Sequence, residues 1–195
     1  MTGSTVQGVV LKKLAAAIVL LVSLSVVPAT PAVAEEYTCR GTVGAVTLDN
    51  VKVPDGRTCV LEGTYVKGTI KVETGATLRA KGVRVIGNVQ AEGAANVVVK
   101  ARSRIGGSVQ VVQGKKASVI RSRVNGDILY DDNGWALSAI RNKIGGNLQA
   151  FQNTGGVEIR RNRIHGDLQC KENRPAPTGG NNIVEGSKED QCERL

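Results

Sequence analysis

The chain has 195 residues, a formal charge of +9 and only five aromatic residues: one Trp, three Tyr and one Phe. Its length suits one domain behind a short targeting segment. The charge favours an anionic partner, whereas the scarcity of aromatic side chains argues against nucleic acid, whose unpaired bases stack on such groups.

Residues 1–34 have the pattern of a secretory signal peptide. Two lysines precede an apolar run over 14–27, and Ala32 and Ala34 form a small-x-small cleavage site. The run is shorter than the roughly 20 apolar residues that span a bilayer, so a retained anchor is the less favoured alternative. We predict cleavage after Ala34 and a secreted or cell-surface protein, residues 35–195, without a transmembrane anchor. Since the two lysines are the only charged residues removed, 24 basic and 17 acidic residues remain, a formal charge of +7.

A glycine recurs at intervals of 19 or 20 residues through the mature part. Such regular self-similarity at a short period is typical of a solenoid. The second and fourth residues after each of the first six glycines are apolar and the third is mostly polar, as in a strand with one buried face; the seventh repeat, GSKED at Gly186, is degenerate. An apolar residue two positions before the glycine and an apolar patch further upstream indicate two more short strands. The recurring glycines are Gly68, Gly87, Gly107, Gly126, Gly146, Gly166 and Gly186.

Three short strands per repeat predict an all-β fold, a single-stranded right-handed parallel β-helix of about seven coils. The leucine-asparagine consensus of leucine-rich repeats is missing. A left-handed hexapeptide helix would repeat in multiples of six, and parallel crossovers are strongly right-handed. The glycine is expected at a corner where a side chain would clash or where φ must be positive. We expect an N-terminal cap over 35–60, coils over 61–172 and a C-terminal cap over 173–195.

The four cysteines lie near the two ends of the predicted rod. An even number in an exported chain favours disulfides, whereas a single histidine and the lack of a C-x-x-C pair argue against zinc. We therefore expect no metal and no other cofactor. Cys39 and Cys59 are 20 residues apart, and Cys170 and Cys192 are 22 apart, so each pair is about one coil apart, near the Cα separation of about 5.5 Å that a disulfide needs. We predict that these two pairs staple the ends of a monomer.

Two segments carry a resemblance to a known family. YTCRGTVGAVTLDNVKVPDG (37–56) and GDLQCKENRPAPTGGNNIVEGSKEDQC (166–192) resemble small secreted bacterial right-handed parallel β-helix proteins of unassigned function. The resemblance covers nearly all of the mature chain. It implies export and the β-helix fold, and it carries over no catalytic residue.

Basic residues recur five and three positions before the glycine, with Ser or Asn between them in four coils. This spacing predicts two cationic rows on one side of the rod. Like charges about 4.8 Å apart repel each other, so the rows favour an anionic polymer, either an acidic polysaccharide or a cell-wall polymer. The alternative is a solvated face, screened by acids such as Asp127 and Asp167. The predicted ladder comprises Arg84, Arg102, Arg104, Arg121, Arg123, Arg141, Lys143, Arg161 and Arg163.

We assign no catalytic residue and predict a non-enzymatic binding protein. His165, the only histidine, holds a position occupied by unrelated residues in the other coils, and no nucleophile can be tied to it. A polysaccharide lyase or hydrolase of pectin-lyase-like fold is an alternative that requires a calcium site or convergent acids. Asp127 and Asp167 would lie two coils, about 10 Å, apart. A self-assembling scaffold is a further alternative, disfavoured by the stapled ends.

Overall fold

The structure is a computed structural model that describes residues 1–3 and 35–195. The predicted signal peptide therefore lies, apart from its first three residues, outside the described residues. Residues 35–195 form strands and turns without any helix. Accordingly, no helix within the described ranges is long and apolar enough to cross a membrane.

Twenty-five short strands follow one another along the chain. In chain order they are β1 (Glu36–Thr38), β2 (Thr42–Val43), β3 (Thr47–Leu48), β4 (Asn50–Val53), β5 (Thr58–Glu62), β6 (Tyr65–Val66), β7 (Ile70–Val72), β8 (Thr77–Lys81), β9 (Arg84–Val85), β10 (Val89–Glu92), β11 (Asn96–Lys100), β12 (Arg104–Ile105), β13 (Val109–Val112), β14 (Lys116–Ile120), β15 (Arg123–Val124), β16 (Ile128–Asp131), β17 (Leu137–Ile140), β18 (Lys143–Ile144), β19 (Leu148–Phe151), β20 (Val157–Arg160), β21 (Arg163–Ile164), β22 (Leu168–Lys171), β23 (Thr178–Gly180), β24 (Ile183–Val184) and β25 (Lys188–Asp190).

The strands form three parallel sheets, because each strand pairs with the strand three places further along the chain. Sheet 1 contains β1 and every third strand to β25, sheet 2 runs from β2 to β23, and sheet 3 runs from β3 to β24. From β4 to β25 the register advances by 19 or 20 residues per turn over seven turns. Glu36 pairs with Asn50, so the first turn is shortened. The predicted all-β parallel solenoid of about seven coils is confirmed; its handedness stays a prediction from the crossover rule.

Apolar side chains from all three sheets fill the inside of the rod. Because alternate strand residues point inward, the second and fourth residues after each of the first six recurring glycines are buried. Tyr130 is the bulkiest of these side chains and is fully buried. Its hydroxyl donates a hydrogen bond of 2.9 Å to the carbonyl of Ser138, and burial raises its pKa. The neutral phenol therefore belongs to the core.

Polar ladders support the corners between the sheets. In one, Asn133, Asn153, Asn173 and Gln191 are linked amide to amide through successive coils. In a second, Asn142, Asn162 and Asn182 are linked in the same way. Each asparagine of these two ladders also donates to a backbone carbonyl. Buried amides are thus satisfied along the rod, which fixes the vertical register of the coils.

The recurring glycine occupies its corner for steric reasons. None of the seven recurring glycines has a positive φ. A Cβ on Gly166 would lie 2.1 Å from Oδ1 of Asn147 and 2.9 Å from the backbone of Gly146. The sequence analysis gave two possible reasons for the glycine, a steric clash or a positive φ. The structure shows that the steric clash with the preceding coil is the correct one.

Both predicted disulfides are present. Cys39 is bonded to Cys59 with a Cα–Cα distance of 5.5 Å, and Cys170 is bonded to Cys192 with a Cα–Cα distance of 5.2 Å. The two bonds lie at opposite ends of the solenoid, and residues 191–195 follow the last strand as a turn. Each end of the rod is thereby tied to its neighbouring coil.

Candidate functional site

The nine predicted ladder residues lie at the start of sheet 3 and at the corner before it. Arg84, Arg104, Arg123, Lys143 and Arg163 are register partners in five successive strands. The outer row, formed by Arg102, Arg121, Arg141 and Arg161, precedes them by two residues. All nine residues are exposed. Together the two sets form the double row.

The residue between the two rows points into the rod. Ser103, Ser122, Asn142 and Asn162 are buried, and their side chains bond to the backbone or to the next coil. The hydroxyl of Ser103 donates to the carbonyl of Lys100 at 2.6 Å, and Oδ1 of Asn142 accepts from the amide of Ser122 at 3.0 Å. This inward anchor leaves the cations on either side facing solvent, as the sequence pattern predicted.

The outer row has an unexpected backbone conformation. The sequence interpretation assumed an extended segment, but Arg102, Arg121, Arg141 and Arg161 have φ values of 62°, 49°, 57° and 57°. The same corner holds Gly63 and Gly82 in earlier coils and Asn181 in the last, the residue types that suit this region. An arginine there costs of order 1–3 kcal/mol. Four successive coils thus carry the less favourable residue.

A second corner of the rod provides an internal comparison. Gln113, Asp132, Gln152 and Glu172 have φ values of 51–59°, so the same conformation recurs there in coil after coil. Two of these four side chains are neutral amides and two are carboxylates, so no single charge repeats along this corner. Left-handed backbone therefore does not by itself select arginine in this fold, and the outer row needs a separate explanation.

Contacts within the protein engage the two ends of the inner row. The Arg84 guanidinium lies 5.3 Å from the ring centroid of Tyr65. At the other end, Glu185 contacts Arg163 at 2.7 Å and Nδ1 of His165 at 3.0 Å. Sequence reasoning missed Tyr65 and Glu185. An alignment of the coils identifies both. Tyr65 is at the position of the inner-row cations, and Glu185 is at the position that His165 holds in the preceding coil.

The middle of the double row has no such partners. Within residues 35–195, seven of the nine cations have no carboxylate oxygen within 4.0 Å of their charged groups. These seven are Arg102, Arg104, Arg121, Arg123, Arg141, Lys143 and Arg161. One internal polar contact is present, from Nε of Arg123 to Oδ1 of Asn125 at 3.0 Å. The positive field of these coils is therefore directed at solvent.

The acids proposed to screen the ladder have another role. Oδ1 of Asp127 accepts from the backbone amide of Asn147 at 2.7 Å, and Oδ1 of Asp167 accepts from that of Ser187 at 2.8 Å. They belong to a corner ladder of hydrogen-bond acceptors that begins at Asn50. These two carboxylates support the backbone and make no ion pair with the double row.

The surface beside the double row is shallow. One depression is lined by Arg84, Arg104 and Arg123 together with Ile86, Gly106 and Asn125. A second is lined by both rows and the serines between them. Within the described residues, no three His, Cys, Asp or Glu side chains cluster in a way that could hold a metal ion. The geometry offers extended cationic contact along the rod.

Comparisons with protein-family models, with curated proteins and with solved structures gave no match to this chain. The resemblance to small secreted bacterial β-helix proteins therefore stays a prediction. The function has to be argued from the double row itself.

Proposed function

We propose that the mature protein is a secreted, non-enzymatic module that binds an anionic extracellular polymer along the double row. The signal-like segment of residues 1–34 and the two disulfides fit an oxidising, extracellular setting. An acidic polysaccharide or an anionic cell-wall polymer is the proposed partner, because exposed cations in a row bind a repeating anion better than a compact one.

One observation carries the proposal: arginine occupies the left-handed corner in four successive coils. The second corner has the same conformation without a repeated charge, so the repeated cation, and not the strain alone, indicates a function. Glycine or asparagine, as at Gly82 and Asn181, would be compatible with the same turn at lower conformational cost. A contact with anions outside the protein accounts for the preference.

Replacing Arg121 and Arg141 together with asparagine should separate binding from stability. We expect retention on immobilised polygalacturonate to weaken about tenfold, since two exposed charge contacts are lost. The free energy of unfolding should stay the same or rise by up to about 1 kcal/mol per site, because asparagine tolerates the left-handed conformation. Urea denaturation and salt-gradient elution measure the two quantities.

Gln113→Asn is the matched control, since Gln113 has φ 51° at the other corner. It should change stability in the same direction and leave retention unchanged. The fraction of wild-type protein that is retained should fall as the ionic strength of loading rises. Equal retention of the wild type and the double variant would show that the row is merely solvated.

A further inference from the structure

We infer that the ligand is a linear polyuronate, a polysaccharide with one carboxylate per sugar, lying parallel to the rod and filling four coils. This inference rests on the proposed function and specifies its ligand. It follows from three properties of the double row: its direction, its length and its spacing.

The direction is set by the sheet register. Arg104 pairs with Arg123, and Arg123 pairs with Lys143, in adjacent strands of sheet 3. The cations therefore repeat along the rod axis at the strand spacing, about 4.8 Å. Across the axis the row is only two cations wide, so a chain crossing the rod would meet a single coil's pair. A chain along the axis meets one pair per coil.

The length is set by what ends the rows. Before Arg102 the outer-row position is Gly82, and after Arg161 it is Asn181. In the inner row, Arg84 stacks on Tyr65, and the strand in the coil after Arg163 has Ile183 as its register partner. Four coils therefore carry a cation in both rows, from Arg102 to Arg163, and they span about 14 Å at the strand spacing.

The spacing favours one charge per sugar ring. In a 4-linked polyuronate each ring carries one carboxylate and successive rings turn about the chain axis, so a chain lying along the rod presents carboxylates to the double row at intervals of one or more coils. Guanidinium groups bind carboxylates through paired hydrogen bonds.

The small residues beside the inner row leave room for the rings. Gly106 and Gly145 follow the inner-row cation in their coils, and Asn125 lies between them. A Cβ at Gly106 would lie 2.2 Å from the carbonyl oxygen of Ile86, and one at Gly145 would lie 2.2 Å from that of Asn125. The floor is therefore free of side chains in these two coils, whereas Asn125 and His165 occupy it in the other two. A sugar chain can therefore lie close to the backbone while its carboxylates meet the cations.

A length series of 4-linked galacturonic acid oligomers, from two to eight residues, tests the inference by titration calorimetry at low salt. Affinity should rise about tenfold from the dimer to the tetramer and then change less than threefold up to the octamer. Methyl-esterified oligomers should not bind. The four-coil polyuronate site would be refuted if affinity kept rising in proportion to length, or if inorganic polyphosphate chains of equal charge bound as tightly. Either result would leave the proposed binding of polyanions intact.

A variant that interrupts the row tests its direction. Arg121→Asn with Arg123→Gln removes one interior coil and leaves at most two adjacent coils with cations in both rows. We expect the ratio of tetramer to dimer affinity to fall from about tenfold to about twofold. An unchanged ratio would mean that the ligand does not lie along the axis. If no oligomer and no polygalacturonate binds the wild type, the proposed function itself fails.

Discussion

Replacing Asn153 with alanine is expected to lower the free energy of unfolding by about 3 kcal/mol. Asn153 is completely buried. Its Nδ2 donates to the Tyr130 carbonyl at 3.0 Å and to Oδ1 of Asn173 at 2.8 Å. Its Oδ1 accepts from both the backbone amide and Nδ2 of Asn133, at 3.0 Å each. The substitution removes four buried hydrogen bonds to the two neighbouring coils and leaves the backbone amide of Asn133 without this acceptor, where water cannot replace it.

Asn96→Ala is the matched control for this measurement. It deletes the same atoms, but Oδ1 of Asn96 is buried without a hydrogen-bond partner among residues 35–195. Its loss should leave the midpoint of urea unfolding unchanged or slightly raised, while Asn153→Ala lowers the midpoint without changing the slope. Equal effects of the two substitutions would show that the asparagine ladder contributes only packing.

The repeat made most of the fold predictable. Residues one period apart stack on each other, so the register at Gly126, Gly146 and Gly166 could be read from their spacing. The same stacking placed Cys39 beside Cys59 and Cys170 beside Cys192. A solenoid has few long-range choices, because each coil contacts only its neighbours. Periodicity therefore determined both the contacts and the location of the double row.

Periodicity could not supply the conformation within a coil. Arginine itself gives no signal for the positive φ of Arg121; only the aligned residues of other coils, Gly63, Gly82 and Asn181, indicate it. The contact of Glu185 with Arg163 and His165 depends on side-chain reach from one coil to the next, which spacing alone does not specify. Departures from the average repeat, rather than the repeat itself, define where the double row ends.

These departures also divide the polar residues of the corners by role. Asparagine, serine and aspartate near the glycine point along the rod and bond to the next coil. The arginines of the double row point away from the rod and, in its middle, bond to no carboxylate within the described residues. Substitutions in the first group should change stability and those in the second should change binding, which makes the two groups experimentally separable.

Replacing Gly166 with alanine should lower the free energy of unfolding by about 3 kcal/mol, because the new methyl group cannot be accommodated between coils. Its Cβ would lie 2.1 Å from Oδ1 of Asn147, which is held as the acceptor for the backbone amide of Asp167 at 2.8 Å. It would also lie 2.9 Å from the backbone of Gly146, whose carbonyl accepts from the amide of Gly166 at 3.0 Å. Removing the steric clash of the alanine Cβ therefore requires both a broken ladder hydrogen bond and a wider spacing between two coils.

Gly134→Ala separates this steric effect from the general effect of removing a glycine. A Cβ at Gly134 would meet no atom within 4 Å, and its φ is not in the left-handed region. Its free energy of unfolding should stay unchanged or rise by up to about 1 kcal/mol, since alanine restricts the unfolded chain. Urea denaturation of both variants decides between the two explanations. If Gly166→Ala were as stable as Gly134→Ala, the recurring glycine would be a relic of repetition and not a requirement of coil stacking.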